Sequence, residues 1–208
     1  MIDFIIMGAG GAGRTVLGTC ADISSRVGFL DDNCAATVVN GAPVLGTTNE
    51  RGRLRGCKYI IAFGSRFQRE RSSVFATMQA EGYTFFNAIN SQAYVDRFAV
   101  VGQGVFVGAQ SAILPNANVG NNCYICVGCS VDHDCVVECG TYLAPGVHLA
   151  GGVHVGESVF IGIGAVVLPL VRVGAGAVIG AGAVVMHDVV PGAVVAGVPA
   201  RTLHKKES

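Results

Sequence analysis

The chain has no tryptophan, few charges and no excess of either sign: 13% of its 208 residues are charged, 14 Lys plus Arg against 14 Asp plus Glu. A net charge of zero argues against a nucleic-acid partner, because non-specific affinity for a polyanion comes from clustered cations. Long apolar runs are missing too, although 51% of the residues are hydrophobic. The most apolar stretch, 166–185, is broken by Pro169, Arg172 and several glycines, so no membrane-spanning segment is expected. No basic segment or small-residue cleavage site follows Met1 and Asp3. A secretory signal is therefore not expected, and the eight cysteines predict reduced thiols in a cytoplasmic protein.

Glycine is abundant, with 30 residues, and the composition changes along the chain. Residues 1–95 hold most of the charge, whereas 96–208 are dominated by Val, Ala, Gly and Ile, which predicts two domains divided there. From Val101 the second part divides into fifteen consecutive six-residue units. Each begins with an aliphatic residue, from Val101, Val107 and Ile113 to Val185, and each carries a small or β-branched residue at its fifth position. Fourth positions are mostly Gly, Asn or Asp, the types that tolerate a positive φ. Strands this short cannot bury an apolar side alone, so successive units must stack into a solenoid. The pattern resembles the hexapeptide repeat of left-handed parallel β-helices, in which three units make one triangular coil; fifteen units predict about five coils.

Residues eighteen apart then lie one above the other at about 4.8 Å. One column of third positions runs Pro115, His133, Gly151, Pro169, His187, which leaves an open notch above the His133 imidazole. A column of sixth positions runs Phe106, Tyr124, Tyr142, Phe160 on an outer face. Such a ladder is expected to be covered by a neighbouring subunit or the N-terminal domain, with a substrate-stacking role for part of it, Tyr142 included. Cys123, Cys126 and Cys129 have the spacing of a zinc site, but Cys123, Cys129 and Cys135 fall on inward fifth positions and Cys126 points outward; no metal site is expected. His148 and His154 read as surface or interface groups, and His204, Lys205 and Lys206 as a solvated tail.

The first part reads as alternating strands and helices, hence a small α/β domain with a parallel sheet. The apolar run 2–7 ends in the spacing Gly8, Gly10, Gly13, before a helix predicted over 14–23. Glycines there let a phosphate approach the free N–H groups of the helix. The next strand, 27–30, ends in Asp31 and Asp32, placed to bond a ribose or base. Further strands at 59–63 and 83–86 enclose a helix at 66–81. This is half of a dinucleotide-binding fold, a half-Rossmann-like unit that suits a mononucleotide handle.

The two halves together resemble the bacterial sugar acyltransferases that include UDP-4-amino-sugar N-acetyltransferases and sialic acid O-acetyltransferase. The most specific segments are 130–135 (Ser-Val-Asp-His-Asp-Cys), 144–146 (Ala-Pro-Gly) and 197–200 (Gly-Val-Pro-Ala). The resemblance implies an acetyl-CoA-dependent N-acetyltransferase acting on the amino group of a nucleotide-linked amino sugar, with UDP as the expected carrier. It implies His133 as general base, Asp134 orienting it, and acetyl-CoA along Gly151, Ile163, Ala181 and Pro199. The nucleotide sugar would meet Gly8, Gly10, Gly13, Asp31, Asp32, Gly64 and Ser65. The family's trimer, with acetyl-CoA held in the groove between subunits, is implied as well. Three positions depart from the family: its second histidine is Tyr142 here, an asparagine is Cys126, and the histidine of its glycine loop is Ala12. The residues themselves support the chemistry, since a histidine suits removal of a proton from an attacking amine and the Gly151 N–H is a candidate oxyanion donor. O-acetylation of a sugar, a carbonic-anhydrase-like metal-dependent hydratase and a non-catalytic β-helix scaffold remain the alternatives.

Overall fold

A computed structural model describes residues 2–203. The expectations on His204, Lys205 and Lys206 lie outside the described residues. The N-terminal unit is a four-stranded parallel sheet in the order β2-β1-β5-β6, built from β1 (Phe4–Met7), β2 (Val27–Leu30), β5 (Lys58–Ile61) and β6 (Thr84–Phe85). After Phe4 and Lys58 at their starts, the central strands β1 and β5 are apolar and buried on both faces, as parallel strands covered by helices must be. A hairpin of β3 (Val38–Val39) and β4 (Ala42–Pro43) turns through Asn40 and Gly41, both at positive φ.

Two helices differ from expectation in their bounds. The first, α1 (Gly11–Thr19), starts three residues early on the glycine loop itself and gives way to a 3₁₀ segment at Ala21–Arg26. The second, α2 (Gln68–Ala80), follows a 3₁₀ turn over Ser65–Phe67. Among the described residues no helix is long and apolar enough to cross a membrane.

The second part is a parallel β-solenoid with three faces, each a ladder of two-residue strands. Pairings such as Phe106↔Tyr124, Ala112↔Ser130 and Asn118↔Val136 set the eighteen-residue step. Every fourth position from Gly104 to Gly182 has positive φ, including Gln110, Ser158 and even Leu170. First and fifth positions fill the interior, with Val105, Ile113, Cys123, Val131, Cys135 and Val159 essentially inaccessible.

Two corrections concern the repeat. The solenoid has about six coils, not five, because Ala88–Ile89, Tyr94–Val95 and Val100–Val101 already form a rung under the next coil. At the other end the step shortens to sixteen, with Val173 bridged to Val189 and Val178 paired with Val194. Asp188 causes the slip: its Oδ1 accepts the Arg172 N–H at 2.8 Å, where a strand carbonyl would otherwise be needed, and its φ is not positive. His187 therefore falls out of the column that starts at Pro115. The last parallel rung, Val194–Ala196, is closed by an antiparallel strand at Arg201–Thr202.

The N-terminal unit covers one face of the prism, the one carrying the aromatic ladder. Phe106 and Tyr124 are buried against Ile6, Val16 and Leu17, while Tyr142 and Phe160 remain half-buried. Successive rings lie 5.2, 5.7 and 5.7 Å apart. Tyr124 Oη donates to the Ile61 carbonyl at 2.9 Å, tying the ladder to the sheet. The guanidinium of Arg71, fully buried on α2, lies 4.6 Å over the Tyr124 ring and donates to the Asn122 and Gly140 carbonyls at 2.5 and 2.8 Å. Gln68, one turn earlier on α2, reaches the Gly140 and Val159 carbonyls.

Candidate active site

The glycine loop is shaped by close backbone approach. A Cβ on Gly13 would lie 1.8 Å from the Gly8 carbonyl oxygen, so glycine is the only residue that lets α1 leave β1 this tightly. Gly8 itself has φ +105. Gly13 is thus buried and lines neither of the two cavities described here, whereas Gly8 and Gly10 face the first of them. That cavity, about 280 Å³, lies at the C-terminal ends of the strands and is completed by Asp31, Asp32, Phe63, Gly64 and Phe67. The acidic pair shapes the loops around it. Asp31 accepts the Ala9 N–H at 2.7 Å and the Asn33 N–H at 2.8 Å. Asp32 accepts the backbone N–H and the hydroxyl of Thr48 at 2.7 and 2.9 Å. At the start of α1 the N–H groups of Gly11, Ala12 and Gly13 have no acceptor in their own helix.

A second cavity, about 570 Å³, adjoins the first at Gly64 and runs between α1 and the solenoid. Ser65, Thr15, Tyr142, Cys126 and Pro145 line it. Cys126 and Tyr142, two of the departures from the family pattern, both line this cavity, and burial raises the pKa of both groups. Cys126, expected to point outward, is buried and belongs to the packed core of the solenoid.

His133 stands on a different edge. The turn at 132–135 places its imidazole in solvent, with Nδ1 2.8 Å from Asp134 Oδ2. Asn116 Nδ2 holds the other oxygen of Asp134 at 3.1 Å, and Asp132 Oδ1 accepts the His133 backbone N–H at 2.7 Å. The hydrogen bond to Asp134, then the charge of Asp132, raise the imidazole pKa above its ordinary value. The stacking rule holds here: a Cβ built on Gly151 would lie 2.5 Å from His133 Nε2, and the Gly152 N–H donates to the His133 carbonyl. The Gly151 N–H has no partner among the described residues.

Ile163 and Ala181 are exposed on the edge shared with the second cavity, in the column Ala109, Val127, Pro145, Ile163, Ala181. Pro199 is exposed near the same end, where the Val184 N–H donates to Gly197 O and the Ala200 N–H to Val184 O. The face bearing the aromatic ladder lies between that edge and the edge at Gly140 and Ser158. His133 and Gly151 occupy the third edge, opposite the N-terminal unit. One chain thus brings together Gly8, Gly10, Asp31, Asp32, Gly64, Ser65 and Tyr142, and separately His133, Asp134 and Gly151. The packed core lies between the two groups.

His148 and His154 have local partners on separate faces, Ser130 Oγ at 2.8 Å and Glu138 Oε1 at 2.7 Å. Among the described residues no three His, Cys, Asp or Glu side chains are grouped to hold a metal ion. Cys123 and Cys129 lie inside the prism, where burial pushes both thiols up to about 12. Arg71, Thr48 and Phe67 are absent from the sequence-derived site. A stripe on α2, Gln68, Arg71 and Phe75 at helical spacing, is the signal that could have found Arg71.

The family described as PglD N-terminal domain matches residues 3–74. The acetyltransferase domain of PglB from Neisseria gonorrhoeae superposes with a TM-score of 0.92 at 32% identity, covering 98% of this chain and 100% of that chain. The same domain has also been solved in complex with acetyl coenzyme A. PerB from Caulobacter crescentus, in complex with CoA and GDP-perosamine, gives a TM-score of 0.89 at 33% identity and covers 97% of each chain. WeeI from Acinetobacter baumannii, at 24% identity and a TM-score of 0.87, shares the fold. Comparison with curated protein sequences finds no match. Identity above 30% along almost the whole length, on the same two-part architecture, means that the chain belongs to the hexapeptide-repeat nucleotide-sugar acetyltransferases.

Proposed function

We propose that the protein transfers an acetyl group from acetyl-CoA to the amine of a nucleotide-linked amino sugar, with His133 as general base. The observation that carries this is the imidazole held by Asp134 directly under a rung without a side chain, beside an unpartnered N–H. As the amine nitrogen attacks the thioester carbonyl, His133 Nε2 takes its proton and the Gly151 N–H bonds the oxygen that gains charge. Collapse breaks the C–S bond, and the imidazolium returns its proton to the departing thiolate. A positioned base of this kind contributes ~10² to 10⁴-fold. The open rung also favours a cofactor route past Gly151.

The nucleotide occupies the cavity at Gly8, Gly10, Asp31 and Asp32, with the diphosphate at the start of α1 and the sugar reaching past Gly64 and Ser65 toward Tyr142. Uridine is the carrier we assign; PerB, whose complex holds GDP-perosamine, makes guanosine the arm to set beside it in a binding panel. Gly13 serves the loop by packing, not by contact. Because the packed core separates this cavity from His133 of the same chain, the amine must be presented to the His133 edge of a neighbouring subunit, in the homotrimer the resemblance implies. The Ile163, Ala181 and Pro199 edge of one subunit and Gly151 of the next would then flank one acetyl-CoA. All eight thiols are free, which fits the cytoplasmic setting expected.

Subunit complementation tests this. His133→Ala and Gly10→Glu are each expected to be inactive. Mixed after joint refolding they should regain activity, because some interfaces then pair an intact base with an intact nucleotide cavity. No activity in the mixture would overturn the composite site, and full activity of His133→Ala alone would overturn the base.

A further inference from the structure

The turn that carries His133 has a polar neighbour one rung below, and no step above uses it. Asn116 and Asp134 are eighteen residues apart and share the left-handed backbone, at φ 62 and 59. Their side chains leave the edge in parallel, about 4.8 Å apart at the level of the backbone. Asn116 Nδ2 donates to Asp134 Oδ1 at 3.1 Å. Turn formation does not require such a pair. On the other two edges each polar residue in this conformation has glycine on the coil above it, Gln110 below Gly128, Asn122 below Gly140 and Ser158 below Gly176. Among the described residues the His133 edge alone stacks two polar residues at these positions.

The His133 and Asp134 side chains are 61% and 58% exposed, so packing does not fix the carboxylate, and an exposed carboxylate left to itself turns freely about its last torsion. Hydrogen bonds do the fixing here. The Pro115 carbonyl accepts the Asp134 N–H at 3.1 Å and Asp132 Oδ1 accepts the His133 N–H at 2.7 Å. Asn116 occupies Asp134 Oδ1, which leaves Oδ2 to take the Nδ1 proton of His133 at 2.8 Å. Nε2 then keeps its lone pair toward the Gly151 rung. Pro115 and Asn116 below and Gly151 and Gly152 above bring no charge, so Asp132 and Asp134 are the charged groups that face the imidazole among the described residues. We infer that Asn116 is a positioning residue for the reaction: it aims the Asp134 carboxylate at the imidazole and so sets the tautomer and basicity of His133, an inference that rests on the His133 reading above. The bonds from His133 and then from Asn116 hold the Asp134 carboxyl below its ordinary pKa, so it stays ionised where the imidazole loses its proton.

Two replacements that tolerate the left-handed backbone separate aim from fold. Asn116→Gly removes the donor, and Asn116→Asp keeps the shape but turns a second carboxylate toward Asp134. NMR titration of the histidines in the full-length protein, with the His133 signal assigned by its loss in His133→Ala, reads the imidazole pKa without passing through turnover. Asn116→Gly loosens the pairing and should lower that pKa toward its ordinary value. Asn116→Asp adds negative charge and should raise it. The pH limb of kcat/KM should move with the imidazole in each variant, and the plateau kcat of Asn116→Gly should fall about tenfold, with KM for acetyl-CoA unchanged, because the base is less well aimed. A general loosening of the turn would move both variants the same way. An imidazole pKa unmoved in both, or moved in one direction in both, overturns the inference. Opposite shifts in the imidazole with a kinetic limb that stays still overturn the base reading on which the inference rests, an outcome distinct from a failure of the Asn116 contact.

Discussion

Gly151→Ala is the smallest perturbation that addresses the proposed chemistry. The added methyl would sit 2.5 Å from His133 Nε2, 2.6 Å from Cε1 and 3.3 Å from Cδ2, so the ring must move. Normal carbon–nitrogen contact requires more than 3 Å, and the imidazole must swing by about 1 Å or more. Such a swing breaks the 2.8 Å bond from Nδ1 to Asp134, and it moves Nε2 off the Gly151 rung. The backbone cost is small, because Gly151 is not at positive φ and the ring is exposed. Stability should change by less than ~1 kcal/mol, as is usual at exposed positions. Catalysis should fall by ~10² or more, because both the orientation of the base and the open notch are lost. Thiol release measured with acetyl-CoA and an accepted nucleotide amino sugar reads the rate, and thermal denaturation reads the fold. A Gly151→Ala protein with unaltered kcat/KM would refute the argument that the imidazole works against a bare rung.

Two further outcomes follow from other contacts. The base must be neutral to act, and its pKa is raised by the Asp134 hydrogen bond and the Asp132 charge, so kcat/KM should climb with pH along a limb above the ordinary imidazole value. Asp134→Asn removes the main cause of that shift and should move the limb to lower pH while reducing the plateau; a pH profile with the limb unmoved would contradict the pairing. On the covered face, Arg71→Ala should destabilise by about 3 kcal/mol through the cavity it leaves and the carbonyls it abandons. Arg71→Met should cost less, because it keeps volume and removes a buried cation that has no carboxylate partner among the described residues. Equal denaturation midpoints for the two variants would argue against that balance.

The repeat was legible because a positive φ every six residues narrows the choice at that position to Gly, Asn and Asp in most units. Leu170 and Ser158 follow because their neighbours on either side already fix the turn. Upstream, the frame continues as Ile89 and Val95 with Ala93 and Ala99, but Gln92 and Phe98 at the fourth positions are poor turn formers. Their turns are made instead by Asn90 and Asp96, whose side chains accept the N–H groups of Gln92 and Phe98. That substitution of a side-chain bond for backbone conformation hid the first coil. Asp188 did the same at the far end, and the column rule fails beyond Val185 for that reason. In the site, the local pairs were readable: His133 with Asp134 and with Gly151 are set by adjacency and by the stacking step. The division of the site between opposite edges was not, because which face the N-terminal unit covers depends on Arg71, Gln68 and Tyr124 meeting across more than fifty residues of chain.

The closing strand at Arg201–Thr202 has a bearing on solubility. A stack of identical rungs ends in a row of open donors and acceptors that any second stack could continue, so a solenoid without a terminus is a template for filaments. Here the short strand crosses the last rung in the opposite direction, which a parallel ladder cannot extend in phase, and Arg201 adds a charge at that point. The same few residues that finish the prism therefore keep one molecule from becoming the first link of a fibre.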